Sequence, residues 1–286
     1  MSNFVEESDY FDSYDGLKLF YRAWKPTKVK ENYIFVGIHG ACVHSKNMQN
    51  LGEFFANKGY PVYAYDRRSF GHCEEKMRGY IDSYKTYVKD TISFIKFLKE
   101  KDKPKKIFLV GHSNGGTVSS IVAAENPDLV DSLILSAPAY RLKSKDLLSP
   151  FRKPMGLVLG TIIPKMKTPN FLKPEELAQD QEMAKIREGD PLYVSKITGR
   201  WVREMFSCQK QATKSIQQVS IPTLFLIPGN DMEISSKFSL KLFEKLKDKD
   251  NMKLKYYKDN YHENFNDLPE SRLIVFNDIS EFLKID

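Results

Sequence analysis

The sequence has few cysteines and no pattern that would tie them into a framework. Its 286 residues include only three cysteines, which lie far apart, so a disulfide-stapled domain is excluded and a reducing compartment is indicated. The CxxC and HExxH spacings of zinc sites are absent, and the five histidines do not cluster. GxGxxG and P-loop strings are absent as well. We therefore expect no metal ion, no nucleotide and no other cofactor.

Long apolar runs are also missing. The longest conspicuous one, residues 155–163, has nine residues, about half of what a bilayer-spanning helix needs. The first sixteen residues are acidic where a secretory signal would have a basic region and an apolar stretch. These features predict a cytoplasmic protein, with a peripheral contact to a membrane as the alternative.

Basic residues exceed acidic ones, 44 to 37, giving a net charge of +7. The lysines are scattered over predicted helix faces, which favours a solvated surface. No nucleic-acid-binding signature accompanies them, so a nucleic acid partner is not expected. A weak attraction to anionic lipid surfaces stays open as an alternative, and nothing in these patterns indicates an oligomeric state.

Strand-like and helix-like segments alternate along most of the chain. Short apolar runs predict strands at 33–38, 61–65, 106–110, 132–135, 222–227 and 252–258, after an N-terminal hairpin that turns at Asp15-Gly16. Helical periodicity predicts helices at 47–57, 82–98, 114–125, 201–217, 235–246 and 265–283. This alternation predicts an α/β fold with a mostly parallel sheet covered on both faces.

The alternation breaks between residues 140 and 200, where six of the 14 prolines fall. We expect residues 1–139 and 201–286 to form the core, and residues 140–200 to be an insertion over one end of the sheet. This segment contains a strongly apolar stretch for a surface insertion. Phe151, Met155, Leu159 and Ile163 are its candidate substrate-binding residues, although packing of the insertion onto the sheet accounts for such a stretch equally well.

The strongest chemical signal is the GxSxG string at residues 111–115, which has Ser113 at its centre. It lies between an apolar strand and a helix start, where a sharp turn projects a serine hydroxyl at the edge of the sheet. Gly111 and Gly115 are expected because a Cβ at either position would strike neighbouring backbone. We therefore expect Ser113 to be a nucleophile.

A serine nucleophile needs a base and a carboxylate that orients the base. His262 follows the last predicted strand, and its loop should lie at the same end of the sheet as Ser113, so we identify it as the base. Asp231 follows another strand and is the expected acid. Glu233 and Asp259 stay open as alternatives for the acid.

The oxyanion of an acyl-transfer intermediate needs preorganised hydrogen-bond donors. The backbone amide of Asn114, directly after the serine, is one candidate donor. The amide of Ala41, in the loop after the third strand, is the second, and Gly40 is expected to supply the unusual backbone that turns it inward. Cys42 beside them is expected to be a small filler rather than a nucleophile.

With these residues in place, the chain resembles the monoacylglycerol lipase and lysophospholipase branch of the α/β-hydrolases, also called serine aminopeptidase S33-like. The resemblance covers nearly the whole chain and is carried by the segments DGLKLFYRAWKP, HGACVHS, DRRSFGHC, GHSNGG, PGNDMEIS and YHENFND. It implies an α/β-hydrolase fold with an eight-stranded sheet and an inserted cap, a triad of Ser113, Asp231 and His262, and oxyanion amides at Ala41 and Asn114.

Several positions depart from the family pattern. Cys42 and Ser69 stand where the family has glycine, and Asn114 stands where methionine is commonest. Val43 and Asn47 fall where the glycerol-specific members carry Glu and Arg. These departures leave the predicted triad intact and put a strict preference for glycerol esters in question.

The sequence thus predicts a serine carboxylic-ester hydrolase for small lipophilic esters, with monoacylglycerols or lysophospholipids as the favoured class. An aminopeptidase, thioesterase or acyltransferase on the same scaffold is an alternative. A catalytically silent α/β-hydrolase that only binds a ligand is a second. Transient contact of the insertion with a lipid surface is compatible with the lysines and arginines that flank it.

Overall fold

The computed structural model describes residues 3–72, 78–143, 158, 160–170, 172–246 and 248–285. The strands are β1 (Phe4–Asp12), β2 (Lys18–Pro26), β3 (Tyr33–Ile38), β4 (Val62–Tyr65), β5 (Lys106–His112), β6 (Ser132–Ser136), β7 (Lys167–Pro169), β8 (Lys196–Thr198), β9 (Thr223–Pro228) and β10 (Met252–Tyr257). The α-helices are α1 (Gln49–Asn57), α2 (Tyr84–Asp102), α3 (Asn114–Glu125), α4 (Pro174–Leu177), α5 (Gln181–Gly189), α6 (Gly199–Ser215), α7 (Ser236–Glu244) and α8 (Pro269–Leu283).

Eight strands form one sheet in the order β1-β2-β4-β3-β5-β6-β9-β10. The pairs β1–β2 and β2–β4 are antiparallel, and all the other pairs in this sheet are parallel. The predicted N-terminal hairpin is present, and Gly16 in its turn has a φ of 79°, a value that glycine adopts without strain. The expectation of a mostly parallel, eight-stranded α/β-hydrolase sheet is confirmed.

Helices cover both faces of this sheet. Successive side chains of a strand point to opposite faces, so a strand that is apolar throughout must be covered on both sides. In β3, Val36 packs into a core formed with α2, α3, α6 and α7. Phe35, its neighbour in sequence, points the other way into a core formed with α1 and α8. The two cores are separated by the sheet, so the central strands are buried on both sides and their carboxyl ends meet at one edge.

Most helix bounds lie within two residues of prediction, and two differ by four residues for identifiable reasons. The helix predicted over 82–98 is α2, which continues to Asp102 and ends where Lys103 adopts a φ of 45°. The helix predicted from 265 is α8, which begins only at Pro269. Phe265 is buried in the core below α8, and the side-chain amide of Asn264 donates to the carbonyl oxygen of Leu226 at 3.2 Å. The loop before α8 is therefore anchored to the sheet rather than wound into helix.

Residues 140–200, named here the inserted segment, contain short elements of their own. β7 and β8 pair as a separate antiparallel two-stranded sheet, and α4 and α5 lie between them in sequence. Phe151, Met155 and Leu159, expected to bind substrate, lie outside the described residues. Ile163 is described and has 49% of its surface exposed. In the described part of the chain, no helix has both the length and the apolar character needed to cross a bilayer.

Candidate active site

Ser113 lies in the tight turn between β5 and α3, as the GxSxG string predicts. Its backbone has a φ of 53°, a region that non-glycine residues rarely occupy. A Cβ at Gly115 would collide with the carbonyl oxygens of Ile38 and His39, and one at Gly111 would lie 2.7 Å from the Cα of Gly116. The two glycines therefore allow α3 to start against the sheet and hold the serine in this conformation.

Ser113, His262 and Asp231 come together at the carboxyl edge of the sheet. His262 Nε2 lies 2.9 Å from Ser113 Oγ, and His262 Nδ1 lies 2.7 Å from Asp231 Oδ2. All three side chains are buried, with 8% of the surface of Ser113 exposed, 3% of His262 and 1% of Asp231. The three residues predicted from the sequence thus form one hydrogen-bonded chain, although Ser113 and His262 are 149 positions apart and His262 and Asp231 are 31 apart.

The loop after β9 holds the Asp231 carboxylate in a fixed orientation. Its Oδ1 accepts hydrogen bonds from the backbone amides of Glu233 and Ile234, each at 2.8 Å. Oδ2 is left to face His262. Asp231 thus caps its own loop with Oδ1 and binds His262 with Oδ2. The loop-cap role and the predicted triad role are therefore compatible.

The two alternative acids occupy different surroundings. Glu233 is buried beside Asp231, and one of its carboxylate oxygens, Oε2, has no hydrogen-bond partner. Burial raises the pKa of Glu233 to about 7, although the His262 imidazole acts to lower it. Asp259 is exposed to solvent. Of the three carboxylates, Asp231 is the one hydrogen-bonded to His262.

The electrostatic surroundings favour a protonated His262 more than water does. Burial alone would lower the pKa of this imidazole. The charge of Asp231 and its hydrogen bond, followed by the charges of Glu263 and Glu233, outweigh burial and raise the pKa above 6.5. The imidazolium that forms when a serine gives up its proton would therefore be stabilised at this position.

The loop after β3 approaches the serine closely. A Cβ at Gly40 would lie 3.3 Å from the Cβ of Ser113, so glycine is needed here because of close approach. The positive φ in this loop lies two residues later, at Cys42, with 65°. The expectation that Gly40 carries the unusual backbone is therefore wrong. Ala41 lies between these two residues, and Asn114 is the first residue of α3.

Cys42 has the properties of a filler. It is fully buried, and burial raises the pKa of its thiol to about 12, so the thiolate is not populated at neutral pH. Among the described residues, no group of histidines, cysteines and carboxylates is arranged to hold a metal ion.

Two charged residues near His262 were not found from the sequence. Glu263 follows His262 directly, and Arg187 comes from α5 in the inserted segment. Arg187 Nη2 lies 2.6 Å from Glu263 Oε1, and His112 Nε2 lies 3.5 Å from the same oxygen. Burial acts to raise the pKa of Glu263, but the charges of Arg187 and His112 hold it well below its usual range. In the sequence, the feature that pointed to Glu263 was its position directly after His262.

The space directly above Ser113 is small. The cavity there has a volume of about 10 Å³, and its lining includes Leu172, Leu177 and Arg187 of the inserted segment. A larger pocket of about 310 Å³ lies next to it, on the other side of Arg187, and is lined by Val43 and Asn47 among others. The described residues therefore leave little space beside Ser113.

Comparisons with known proteins agree with the fold. The family model described as serine aminopeptidase, S33, matches residues 30–269. Human monoglyceride lipase is 26% identical over 267 residues, which are 93% of this chain and 86% of the human protein. Phospholipase YtpA of Bacillus subtilis is 27% identical over 239 residues, 82% of this chain and 89% of that protein.

A solved structure is similar over nearly the whole chain. The crystal structure of the monoacylglycerol lipase from Paleococcus ferrophilus superposes with a TM-score of 0.79 at 28% identity. The match covers 93% of this chain and 98% of that one.

Proposed function

This chain belongs to the serine aminopeptidase S33 family, which makes it an enzyme of the α/β-hydrolase fold, and on that premise we propose that it hydrolyses carboxylic esters of lipids. The proposed substrates are small lipophilic esters, with monoacylglycerols or lysophospholipids as the favoured class. Its relatives include proteins named monoglyceride lipase and phospholipase, and both names describe hydrolysis of a lipid.

The observation that carries the proposal is the hydrogen-bonded chain from Ser113 through His262 to Asp231, with contacts of 2.9 and 2.7 Å. A serine hydroxyl is a weak nucleophile at neutral pH until a base within hydrogen-bond reach takes its proton. His262 is within that reach, and Asp231 holds the imidazole in the tautomer that has Nε2 free to accept.

In the proposed reaction, Ser113 Oγ attacks the ester carbonyl carbon while His262 takes the serine proton. The negative charge that develops on the carbonyl oxygen is bound by the backbone amides of Ala41 and Asn114. His262 then gives its proton to the leaving alcohol, and an acyl-enzyme remains on Ser113. A water molecule, deprotonated by His262, attacks this acyl group and releases the carboxylic acid.

We further propose that the inserted segment acts as a cap that holds the acyl chain. Leu172 and Leu177 face the small cavity above Ser113, so the wall opposite the serine is partly apolar, as a lipid chain requires. Val158, Ile162 and Ile163 are exposed large apolar residues in the same segment. Their exposure fits a transient contact with the lipid surface that supplies the substrate.

Activity profiling tests the proposal. The purified chain is assayed on monoacylglycerols of increasing chain length, lysophospholipids, p-nitrophenyl esters, acyl-CoAs and amino-acid anilides, with Ser113→Ala as the matched control. We expect turnover of the glycerides or lysophospholipids, and loss of about 10⁴-fold or more in the control. A fluorophosphonate probe should label the wild type and leave the variant unlabelled.

An aminopeptidase is the second candidate, because the matching family model is itself described as a serine aminopeptidase. The same assay separates the two functions. Turnover confined to the anilides would refute the ester proposal in favour of the peptidase. Absence of both turnover and labelling in folded wild-type protein would refute the catalytic role of Ser113 altogether.

A further inference from the structure

Arg67 is an unusual residue because its guanidinium is completely buried. Among the described residues, no carboxylate forms an ion pair with it; its neighbours are the rings of Tyr87 at 4.8 Å and Phe70 at 5.5 Å. A buried charge is costly unless its hydrogen bonds are made, and Arg67 Nε has no partner among the described residues. The partners of this guanidinium therefore indicate what it does.

Both of its hydrogen bonds go to the two segments that carry the proposed oxyanion amides. Nη2 donates to the carbonyl oxygen of Gly40 at 2.6 Å, and Nη1 donates to the side-chain Oδ1 of Asn114 at 2.7 Å. One planar group thus joins the loop after β3 to the first residue of α3, and its rigid fork fixes the distance between them.

The contact with Gly40 acts on the oxyanion donor directly. The carbonyl of Gly40 and the N–H of Ala41 belong to the same peptide group. A hydrogen bond from a cation to that carbonyl polarises the peptide and makes its N–H a stronger donor, because hydrogen bonds in a chain strengthen one another. It also fixes the peptide plane, which determines where the N–H points.

His39 supports the same peptide from a second direction. The backbone N–H of Arg67 donates to His39 Nε2 at 3.0 Å, so that nitrogen carries no proton. The proton of the ring is then on Nδ1, which lies 2.8 Å from the carbonyl oxygen of Gly40 and donates to it. Burial, followed by the charge of Arg67, lowers the pKa of His39 well below 6.5, which keeps the ring in this neutral form.

We propose that Arg67, supported by His39, is a positioning residue for the oxyanion site: it aligns the amides of Ala41 and Asn114 and strengthens the Ala41 donor. The inference rests on the proposed esterase function. Arg67 does not touch the substrate; it acts through the Gly40–Ala41 peptide and the Asn114 side chain. Its effect should therefore grow as negative charge develops on the substrate oxygen, and should be small in the ground state.

Paired oxoester and thionoester substrates test this role. The thionoester places its developing charge on sulfur, which amide donors bind poorly, so the ratio of kcat/KM for the two substrates reports on the oxyanion contacts. For Arg67→Met we expect kcat on a p-nitrophenyl oxoester to fall about 10- to 100-fold with little change in KM; loss of a whole oxyanion donor costs about 10² to 10³. The oxoester-to-thionoester ratio should fall about tenfold. Arg67→Lys should recover only part of it, because one ammonium cannot serve both acceptors.

Arg68→Met is the matched control. Arg68 is the neighbouring arginine and is also largely buried, but it binds Asp15 and Asp90 and neither oxyanion segment. We expect it to lower the melting temperature and leave the substrate ratio unchanged. If Arg67→Met does not fold, Arg67→Lys and Asn114→Ser, which keeps the backbone amide, carry the test.

Equal losses on the two substrates in the Arg67 variants would overturn the inference. So would an unchanged inhibition constant for a trifluoromethyl ketone, whose adduct with the serine carries an oxyanion. Failure of the proposed function is a separate outcome, because it would appear in the wild type as an absence of ester turnover and of fluorophosphonate labelling.

Discussion

Arg187 and Glu263 form a buried ion pair between the inserted segment and the loop that carries His262. Their side chains are 2.6 Å apart, with 11% and 5% of their surfaces exposed, and the same Arg187 nitrogen donates to Asn47 at 3.0 Å. The pair lies beside the small cavity above Ser113. The ion pair joins α5 of the inserted segment to the His262 loop, so we expect it to oppose any movement of α5 away from Ser113.

Replacing Arg187 with methionine should favour a form in which α5 lies farther from Ser113. Glu263 would be left as a buried charge without its closest cationic partner, which is unfavourable, and moving α5 outward would let water reach it. We expect backbone amides of residues 181–189 to exchange hydrogen several-fold faster, and a bulky fluorophosphonate to label Ser113 faster. Hydrogen-exchange mass spectrometry and labelling rates measure the two effects.

Lys173→Met is the control for this change. Lys173 also lies in the inserted segment, but its pair with Glu176 is largely exposed, with 62% and 35% of the two side chains accessible. Exposed pairs of this kind contribute little, so exchange in α5 should stay as in the wild type. Unchanged exchange in both variants would show that the Arg187–Glu263 pair does not hold the segment closed.

The identity of the acid can be decided by two conservative substitutions. Asp231→Asn should lower kcat about 10⁴-fold, because an amide at this position favours the wrong tautomer of His262. Glu233→Gln should retain activity within about fivefold, because glutamine is similar in shape to the protonated acid and Glu233 makes no hydrogen bond to His262. Steady-state kinetics on one ester measure both. The reverse pattern would make Glu233 the functional acid.

The pH dependence should report the raised pKa of His262. The imidazole accepts the serine proton only when neutral, so kcat/KM should rise with pH and reach half its maximum above pH 6.5. Glu263→Gln removes a negative charge that favours the protonated ring, so the pKa of His262 should fall and the acid limb of the profile should move to lower pH.

Glu270→Gln removes an exposed carboxylate near the start of α8 and serves as the control. Solvent screens that charge, so the acid limb should stay in place. A shift of the limb to higher pH in Glu263→Gln would contradict the electrostatic account of His262.

The buried network around Arg68 should be important for stability rather than chemistry. Arg68 binds Asp90, whose side chain is fully buried, at 2.8 Å, and Ser13 Oγ donates to the same carboxylate at 2.5 Å. Arg68→Met leaves Asp90 as an unpaired buried charge and should lower the free energy of unfolding by about 3–5 kcal/mol. Urea denaturation measures this.

In a double-mutant cycle, adding Asp90→Asn to Arg68→Met should cost less than the sum of the two single changes, because the unpaired charge is gone. Lys18→Met, which removes an exposed pair with Asp12, should leave the unfolding midpoint unchanged. Additive effects of Arg68→Met and Asp90→Asn would show that the two side chains are not coupled.

Much of the fold could be predicted from local pattern. Buried strands of a parallel sheet are continuous apolar runs, and β3, β5 and β6 were recognisable for that reason. Ser113 was recognisable because its turn needs glycine on both sides within five residues. Asp231 and His262 followed from a topological rule, since loops after parallel strands meet at one edge.

The contacts made between distant segments could not be predicted. Arg187 meets Glu263 across 76 positions, and Arg67 meets Asn114 across 47. No spacing rule links such pairs, because they depend on how loops of irregular shape pack together. Likewise, α8 begins at Pro269 because Phe265 packs in the core before the helix starts. This tertiary packing overrides the helical periodicity of the sequence.

The strained backbone at Ser113 is needed for the proposed chemistry, but it lowers the stability of the fold. A non-glycine residue with a φ of 53° carries strain of about 1–3 kcal/mol, and glycine would relieve it. Under the proposed function, Ser113→Gly would therefore relieve strain and abolish turnover, so screening for heat resistance alone would favour losing the hydroxyl. A more stable variant should therefore keep this turn unchanged, and stabilising substitutions should be sought on the opposite side of the sheet.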